Sequence, residues 1–532
     1  MPARSAVRFV GVLAALAWAA GVALASDTPQ AADEPARRLP GVEPAAGESP
    51  APEPFVGIPA DRWGTAERPI PVPDRWRLIE SLGVHERWYD PYHQNTLKGD
   101  RPIAPGWFVD LSLISDTVLE QRALLQSVIG SFSLMRGDTS FKPPDFELRV
   151  TPVLNVFASR LSGTDTTVHD VGLQEAFVTV HLRDVSMHYD FDALRVGIQP
   201  FNADFRGFLF QDQPVGLRVF GNRQNNRLQY NVAWFRRFHR DRTGTLNDVS
   251  QPLRDEDLFL FTLYRQDTPR DGFTSQLTAI WDRNRELQGE QTGFDVGFVG
   301  YNGDGHLGRV NLTAALYVAV GRTLSDSAVT DVRAWFVAFE PSVDLSYARL
   351  RGSLLWASGD RDPDDGRSEG FDAIAENPMF AGADTSYWIR QSPLLADLSG
   401  NEMRLTSRNG LLPALRATNS PAPAHFDNPG LGLIGGDADF ELTPKVRLSL
   451  GARYLRFANT AVLEALVARP VAAEIGWDCD VALTWRPLLN QNLVLRLSAA
   501  ALFPGGGFED LYPAMRDERA LTAVLFGVIL AY

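Results

Sequence analysis

Cysteine is all but missing from this chain. Cys479 stands alone, which excludes an internal disulfide framework, cysteine-only zinc sites and haem held through paired cysteines. It shares strand parity with Trp477 and Val481 and reads as a small apolar filler. Basic charge is also in deficit. The 51 Lys and Arg against 65 Asp and Glu leave a net charge of -14, the opposite of a nucleic-acid binder's footprint. Beyond residue 25 no run of about 20 apolar residues occurs, so no transmembrane helix is expected. The eight histidines (His85, His93, His169, His181, His188, His239, His306, His425) are scattered, without a His-Glu-x-x-His helix, a Gly-x-Ser-x-Gly elbow or a metal-ligand spacing. The chain does not read as an enzyme.

What is present points to export and to strands. Arg4 and Arg8, the apolar run from Val10 to Ala20, and Ala23-Leu24-Ala25 make a secretory signal over 1–25. Residues 26–73 are rich in Pro, Ala and acidic side chains with no sustained period, as in a disordered periplasmic leader. Over 74–105 a short amphipathic stretch (Trp76, Leu78, Ile79, Leu82) precedes an aromatic turn, Trp88 to Tyr92. That segment is expected either to act as a plug or to pack as a lead-in to the first strand.

From 106 to 532 a period of two takes over, clearest at Leu431 to Phe457. Leu448, Leu450, Ala452 and Tyr454 point one way and Arg447, Ser449, Gly451 and Arg453 the other. Before Thr443-Pro444, Asp437, Asp439 and Glu441 alternate with Ala438, Phe440 and Leu442, so the two runs form a hairpin. Charged faces that pair across a hairpin suit a water-filled lumen, and the apolar faces then meet lipid. Similar runs begin at Trp107, Leu124 and Phe146. Others start near Leu173, Phe191, Val215, Leu228, Leu258, Ser275, Phe294, Arg309, Val332 and Arg349, with more at Glu474 to Phe503 and Leu521 to Tyr532. The expected fold is all-β: a closed antiparallel transmembrane β-barrel of about 18 strands (16 to 18) in the outer membrane of a Gram-negative bacterium. Tyr532, Leu530, Val528, Phe526 and Val524 share a face, and the aromatic end is a pattern for outer-membrane assembly machinery to recognise. Trp107, Tyr230, Trp234, Trp477 and Trp485 suit interfacial girdles.

Connections differ in length, and long ones face outward in this class. Short turns are expected at 221–226, 303–305 and 487–491, while 359–430 reads as an extracellular lid or inward-folded constriction. Gly303-x-Gly305-x-x-Gly308 has the spacing of a dinucleotide fingerprint, but a strand comes after it, so it reads as a hairpin turn. Asp360, Asp362 and Asp364 form a weak Ca²⁺ candidate or a solvated acidic loop. Arg236, Arg237, His239, Arg240 and Arg242 make a basic cluster for anionic headgroups or solutes, or a solvated loop. Parity places Arg149, Arg218, Arg309, Arg447, Arg453, Asp437, Asp439, Asp478 and Asp480 in the lumen as pore-lining candidates, together with Arg195 and Gln199.

Gln174 to Phe177, Leu194 to Gln199, Asn428 to Leu431 and Leu442 to Lys445 resemble the alginate-export-type, porin-like outer-membrane barrels, over about residues 106 to 532. The resemblance implies a channel whose constriction arginines, here Arg195, meet an anionic polysaccharide. The expected function is therefore passive passage of a hydrophilic solute, anionic ones included, with outer-membrane lipid around the wall and no cofactor beyond the Ca²⁺ candidate. Two other readings stay open: a sheath around a partner such as an electron-transfer protein, and an outer-membrane hydrolase.

Overall fold

The computed structural model describes residues 83, 85–92, 95–120, 123–137, 144–161, 164–186, 190–241, 246–285, 293–324, 329–396, 402–407, 409–417 and 425–532. The expected signal and leader, with the first part of the 74–105 segment, lie outside them.

Eighteen strands form the wall. In chain order they are β1 (Trp107–Glu120), β2 (Ala123–Arg136), β3 (Phe146–Leu161), β4 (Thr164–Asp184), β5 (Phe191–Ile198), β6 (Val215–Arg223), β7 (Leu228–Arg236), β8 (Glu256–Arg265) and β9 (Phe273–Asn284). They continue as β10 (Gly293–Leu307), β11 (Val310–Leu324), β12 (Val329–Leu345), β13 (Ala348–Ala357), β14 (Leu431–Thr443), β15 (Val446–Phe457), β16 (Glu474–Trp485), β17 (Leu493–Pro504) and β18 (Leu521–Ala531). Each pairs antiparallel with its neighbours in sequence, and β1 also pairs with β18, from Ile114↔Ala531 to Glu120↔Leu525. The sheet is closed, so no edge is left unpaired. Eighteen strands about 4.8 Å apart and tilted by about 40° make a wall roughly 35 Å across.

The two ends of the barrel differ. At the end where β1 begins and β18 finishes, the connections are short, among them Gln224 to Arg227, Gly308-Arg309, Ser346-Tyr347 and Pro444-Lys445. The other end holds the long connections, over 199–214, 237–255, 358–430, 458–473 and 505–520, beside short links from β1 to β2, β3 to β4 and β11 to β12. In outer-membrane barrels short turns mark the periplasmic side and long loops the outside.

The outward rows are apolar and exposed. On β12, Trp335, Val337 and Phe339 face out, while Val332, Ala334, Phe336, Ala338 and Glu340 between them are buried. Trp234, Trp281, Trp335, Trp356 and Trp477 ring the outer end of the wall, and Trp107, Tyr230, Tyr301, Tyr347 and Trp485 the periplasmic end. Trp477 and Trp485 on β16 are about 27 Å apart along the strand, roughly 20 Å once tilt is allowed for, close to the apolar band of an outer membrane.

Two expectations on strand limits change. β4 begins at Thr164 rather than near Leu173, because a polar stretch carries the wall beyond the girdle. Gly303-Asp304-Gly305 lies inside β10, and the turn is Gly308-Arg309. Gly303 is needed for packing, since a Cβ there would lie 2.5 Å from Cζ of Phe273, and Gly305 has φ of 147°.

The 95–104 stretch lies along the wall at the seam. Leu97 O accepts from the Leu111 amide at 2.7 Å, and Lys98 bridges to Asp110, on the part of β1 that β18 does not reach. Tyr532 closes the joint. Its backbone exchanges hydrogen bonds with Leu113, its hydroxyl accepts from Asn95 Nδ2 at 2.8 Å and donates to Trp88 O, and Lys98 Nζ sits 4.8 Å above its ring.

Candidate functional site

A lumen this wide cannot be filled by wall side chains alone, and the loops fold into it. Along β7 to β14, inward Phe235, Phe294, Phe298, Phe336 and Leu433 are buried against Phe201, Phe208 and Phe210 of the 199–214 loop and Phe371, Phe380, Trp388, Leu411 and Phe426 of the 358–430 loop. The long loop is thus an inward-folded plug with an apolar face. This explains why strands such as β12 are apolar on both sides.

Polar groups fix the loops in place. Asp204 accepts from the amides of Arg206, Phe208 and Leu209 at 2.9, 3.1 and 2.9 Å, and from the Tyr317 hydroxyl at 3.1 Å, so one carboxylate ties the 199–214 loop to β11. In the long loop, α1 (Tyr387–Gln391) starts at Ser386. Asp478 accepts from the Ser386 hydroxyl and from the amides of Tyr387 and Trp388 at 3.2 and 3.0 Å. Asp480 accepts from Thr385 Oγ1 at 2.6 Å, and Arg453 joins Asp480 to Asp437 by ion pairs. At the far end of α1, Gln391 Nε2 donates to Glu120 of β1 at 2.6 Å. The helix therefore runs along the inner wall from β16 to β1. Arg416 and Asp372, paired at 2.8 Å, brace the loop internally.

Eight of the eleven candidate pore residues fall into two groups. Arg453, Asp437, Asp478 and Asp480 point inward but are buried beneath the plug, where they seat it rather than line open water. Gln199 is likewise fully buried, its side chain donating to Gly216 O at 3.4 Å. Arg309 is a correction: it sits in the turn after β10, exposed, and not on a lumen-facing strand. Asp439 pairs with Arg351 at 3.0 Å and Arg447 with Glu441, both toward the periplasmic end.

The second group forms a continuous stack across β3, β4, β5 and β6. Arg149 lies 5.7 Å from the Phe177 ring and Arg195 4.0 Å from it. Arg195 is also 5.5 Å from Phe220, Arg218 4.7 Å from Phe220, and Arg218 5.3 Å from Phe201 of the inward loop. Glu147 pairs with Arg149 at 3.0 Å and with Arg195 at 3.2 Å, while Arg218 donates to Asn231 at 2.8 Å. Arg149 remains 35% exposed inside the barrel. Exposed inward groups nearby are Ile529 on β18 and Asp384 of the long loop, which pairs with the partly exposed Arg496 at 2.7 Å.

The basic cluster after β7 is not a solvated loop. Arg237 is buried between Asp212 at 2.8 Å and Glu256 at 3.1 Å and donates to Ile374 O, Arg240 pairs with Asp212, and Arg236 pairs outward with Asp257 at 2.9 Å. Arg242 lies outside the described residues. Of the calcium aspartates, Asp360 is buried at the neck of the long loop and Asp362 and Asp364 are exposed. No three such groups come together as a metal set among the described residues. Burial, and then the charge of Asp427, push the Asp360 carboxyl up to about 6. In the same loop Glu376, which accepts from the Leu412 amide at 3.1 Å, is pushed up by burial to about 8. Among the described residues no helix is long and apolar enough to cross a membrane.

Sequence reasoning missed Ser386, Thr385 and Asp204, because their roles depend on where the loops land. The visible trace was apolar residues on both faces of β12.

No family model matches the chain, and no curated protein matches it. Among solved structures it is similar to the outer membrane protein OpdK from Pseudomonas aeruginosa, at 13% identity over 80% of this chain and 98% of that one, with a TM-score of 0.44. OccK9 (OpdG) of the same organism is similar at 11% identity over 81% and 99%, with a TM-score of 0.48, and OpdK with vanillate at 13% over 80% and 98%, with 0.45. At these values the class rests on the chain's own strand pairing. The protein is a closed 18-stranded antiparallel β-barrel with an apolar outer face.

Proposed function

We propose that this barrel is a porin-like channel for passive passage of small hydrophilic anions. The observation that carries the reading is the stack of Arg149, Arg195 and Arg218 with Phe177 and Phe220, open to water at Arg149. A guanidinium held against aromatic faces keeps its edge for a passing carboxylate, and the spaced cations offer successive weak sites, which conduction requires. The plug narrows the outward half of the lumen and so sets the size limit. Planar carboxylates suit a stack of planar partners. Vanillate, which the name of one of the Pseudomonas structures includes, is a convenient first solute.

The test is the reversal potential of the purified protein in a planar bilayer under a salt gradient. A preference for anions that falls or reverses in Arg149→Glu and Arg218→Glu supports the reading. Equal permeability in wild type and variants sinks it. The alginate-export kinship remains a proposal resting on its motifs, two of which lie side by side on β4 and β5 with Phe177 opposite Gly197, while the other two flank β14. A sheath around a partner protein is disfavoured, because the chain's own loops take up the lumen along β7 to β14.

A further inference from the structure

The lipid-facing wall carries a feature that passage through the lumen does not use. Between β12 and β15 a groove of about 490 Å³ opens outward, with Phe339, Leu354, Trp356, Ile434 and Tyr454 among its walls. Its floor is Gly432, in register with Trp356 on one side and Arg456 on the other. A Cβ at Gly432 would lie 2.9 Å from Cζ3 of Trp356 and 3.1 Å from Cγ of Arg456, so the missing side chain lets both lean over the floor.

Arg456 caps the groove at the outer girdle. It is exposed and makes no ion pair among the described residues, and its register partner Glu474 lies against Gly505. Arg333 stands on the same outward face, just past Trp335, likewise exposed and without an ion pair among the described residues. By contrast, Arg236 is matched by Asp257, and Arg322 sits 3.5 Å from Asp331. In a chain of net charge -14, two unmatched cations above an apolar groove at the outer membrane face are a local exception.

We propose that this groove binds a phosphorylated lipid of the outer leaflet. An acyl chain lies along Leu354 and Ile434, and the Arg456 guanidinium donates to a phosphate oxygen. The proposal rests on the outer-membrane reading of the barrel. Apolar walls alone would not choose among lipids, since every lipid has acyl chains. A charge-assisted hydrogen bond from an uncompensated arginine at headgroup level does choose, and it selects a phosphate monoester over a neutral headgroup.

The experiment is native mass spectrometry of the full chain released from detergent micelles, titrated with bisphosphorylated lipid A or with the same lipid dephosphorylated. Folding is checked by heat-modifiable migration on gels. Wild type should bind the phosphorylated lipid at least fivefold more tightly than the dephosphorylated one. Arg456→Gln should remove that preference, while Arg322→Gln, which touches a matched arginine, should keep it. Gly432→Ser, a second route to the site, should weaken both lipids. Equal binding of the two lipids by folded wild type, an equal loss in Arg322→Gln, or oligomers that Arg456→Gln dissolves would each overturn the site. Failure of the wild type to partition with membranes would instead overturn the outer-membrane reading beneath it.

Discussion

Replacing Arg453 by methionine should unseat the plug. Arg453 is fully buried, and it is the cation between Asp437 and Asp480, with Asp478 of the α1 seat close by. Methionine keeps much of the volume but removes every donor, leaving two buried carboxylates facing one another. Breaking a buried pair from one side costs about 3–5 kcal/mol. The wall itself is held by strand pairing, so the cost falls mainly on the state in which Thr385 and Ser386 are docked. That shifts the docked-to-undocked ratio by on the order of 10² to 10⁴. Single-channel recording reads this directly, because an undocked loop widens the outer half of the lumen and unitary conductance rises. Removing the carboxylates too, in Arg453→Met with Asp437→Leu and Asp480→Leu, should recover part of the loss, since an apolar set leaves fewer groups unpaired. Unchanged conductance in Arg453→Met, with normal barrel folding, would refute the assignment of this cluster as the plug's seat.

Three further outcomes are expected. Asp360→Asn should stabilise the protein at pH 8 and leave it unchanged below about pH 4. The native carboxyl titrates near 6, so the stability its protonated form supplies is present below the ordinary aspartate value and is lost as pH rises through 6. Two pK units correspond to at most about 3 kcal/mol, and urea midpoints at the two pH values check both sign and size. Tyr532→Ala should cost about 2–3 kcal/mol, from two hydroxyl hydrogen bonds and the Lys98 contact, seen as a lower midpoint with conductance unaltered. Deleting Gln94 to Asp100 should likewise lower stability without raising conductance, because Leu97 and Lys98 lie along the wall. A conductance increase would show that the segment obstructs the lumen instead.

The wall was legible because its rule is local. Alternation in Val446 to Phe457 and the aromatic end at Tyr532 depend only on which way successive side chains point, and strand number comes from counting. Lumen parity was also readable for Arg149, Arg195 and Arg218. Which inward groups stay wet was not, because Arg453 and Asp478 are covered by residues that lie far along the chain. Arg309 was misplaced because β10 runs on through glycines that read as a turn, and those glycines accommodate Phe273 rather than a reversal.

The two-sided apolar character of β12 also bears on how the protein is made. One face is dried by lipid as soon as the strand inserts, but the other stays wet until the long loop folds onto it. That loop is the next stretch of chain after β13, so the cover comes directly behind the surface it covers. Until it arrives, the growing sheet carries a water-facing apolar interior, the kind of surface on which incomplete chains stick to one another. The order of segments along the chain keeps that interval short.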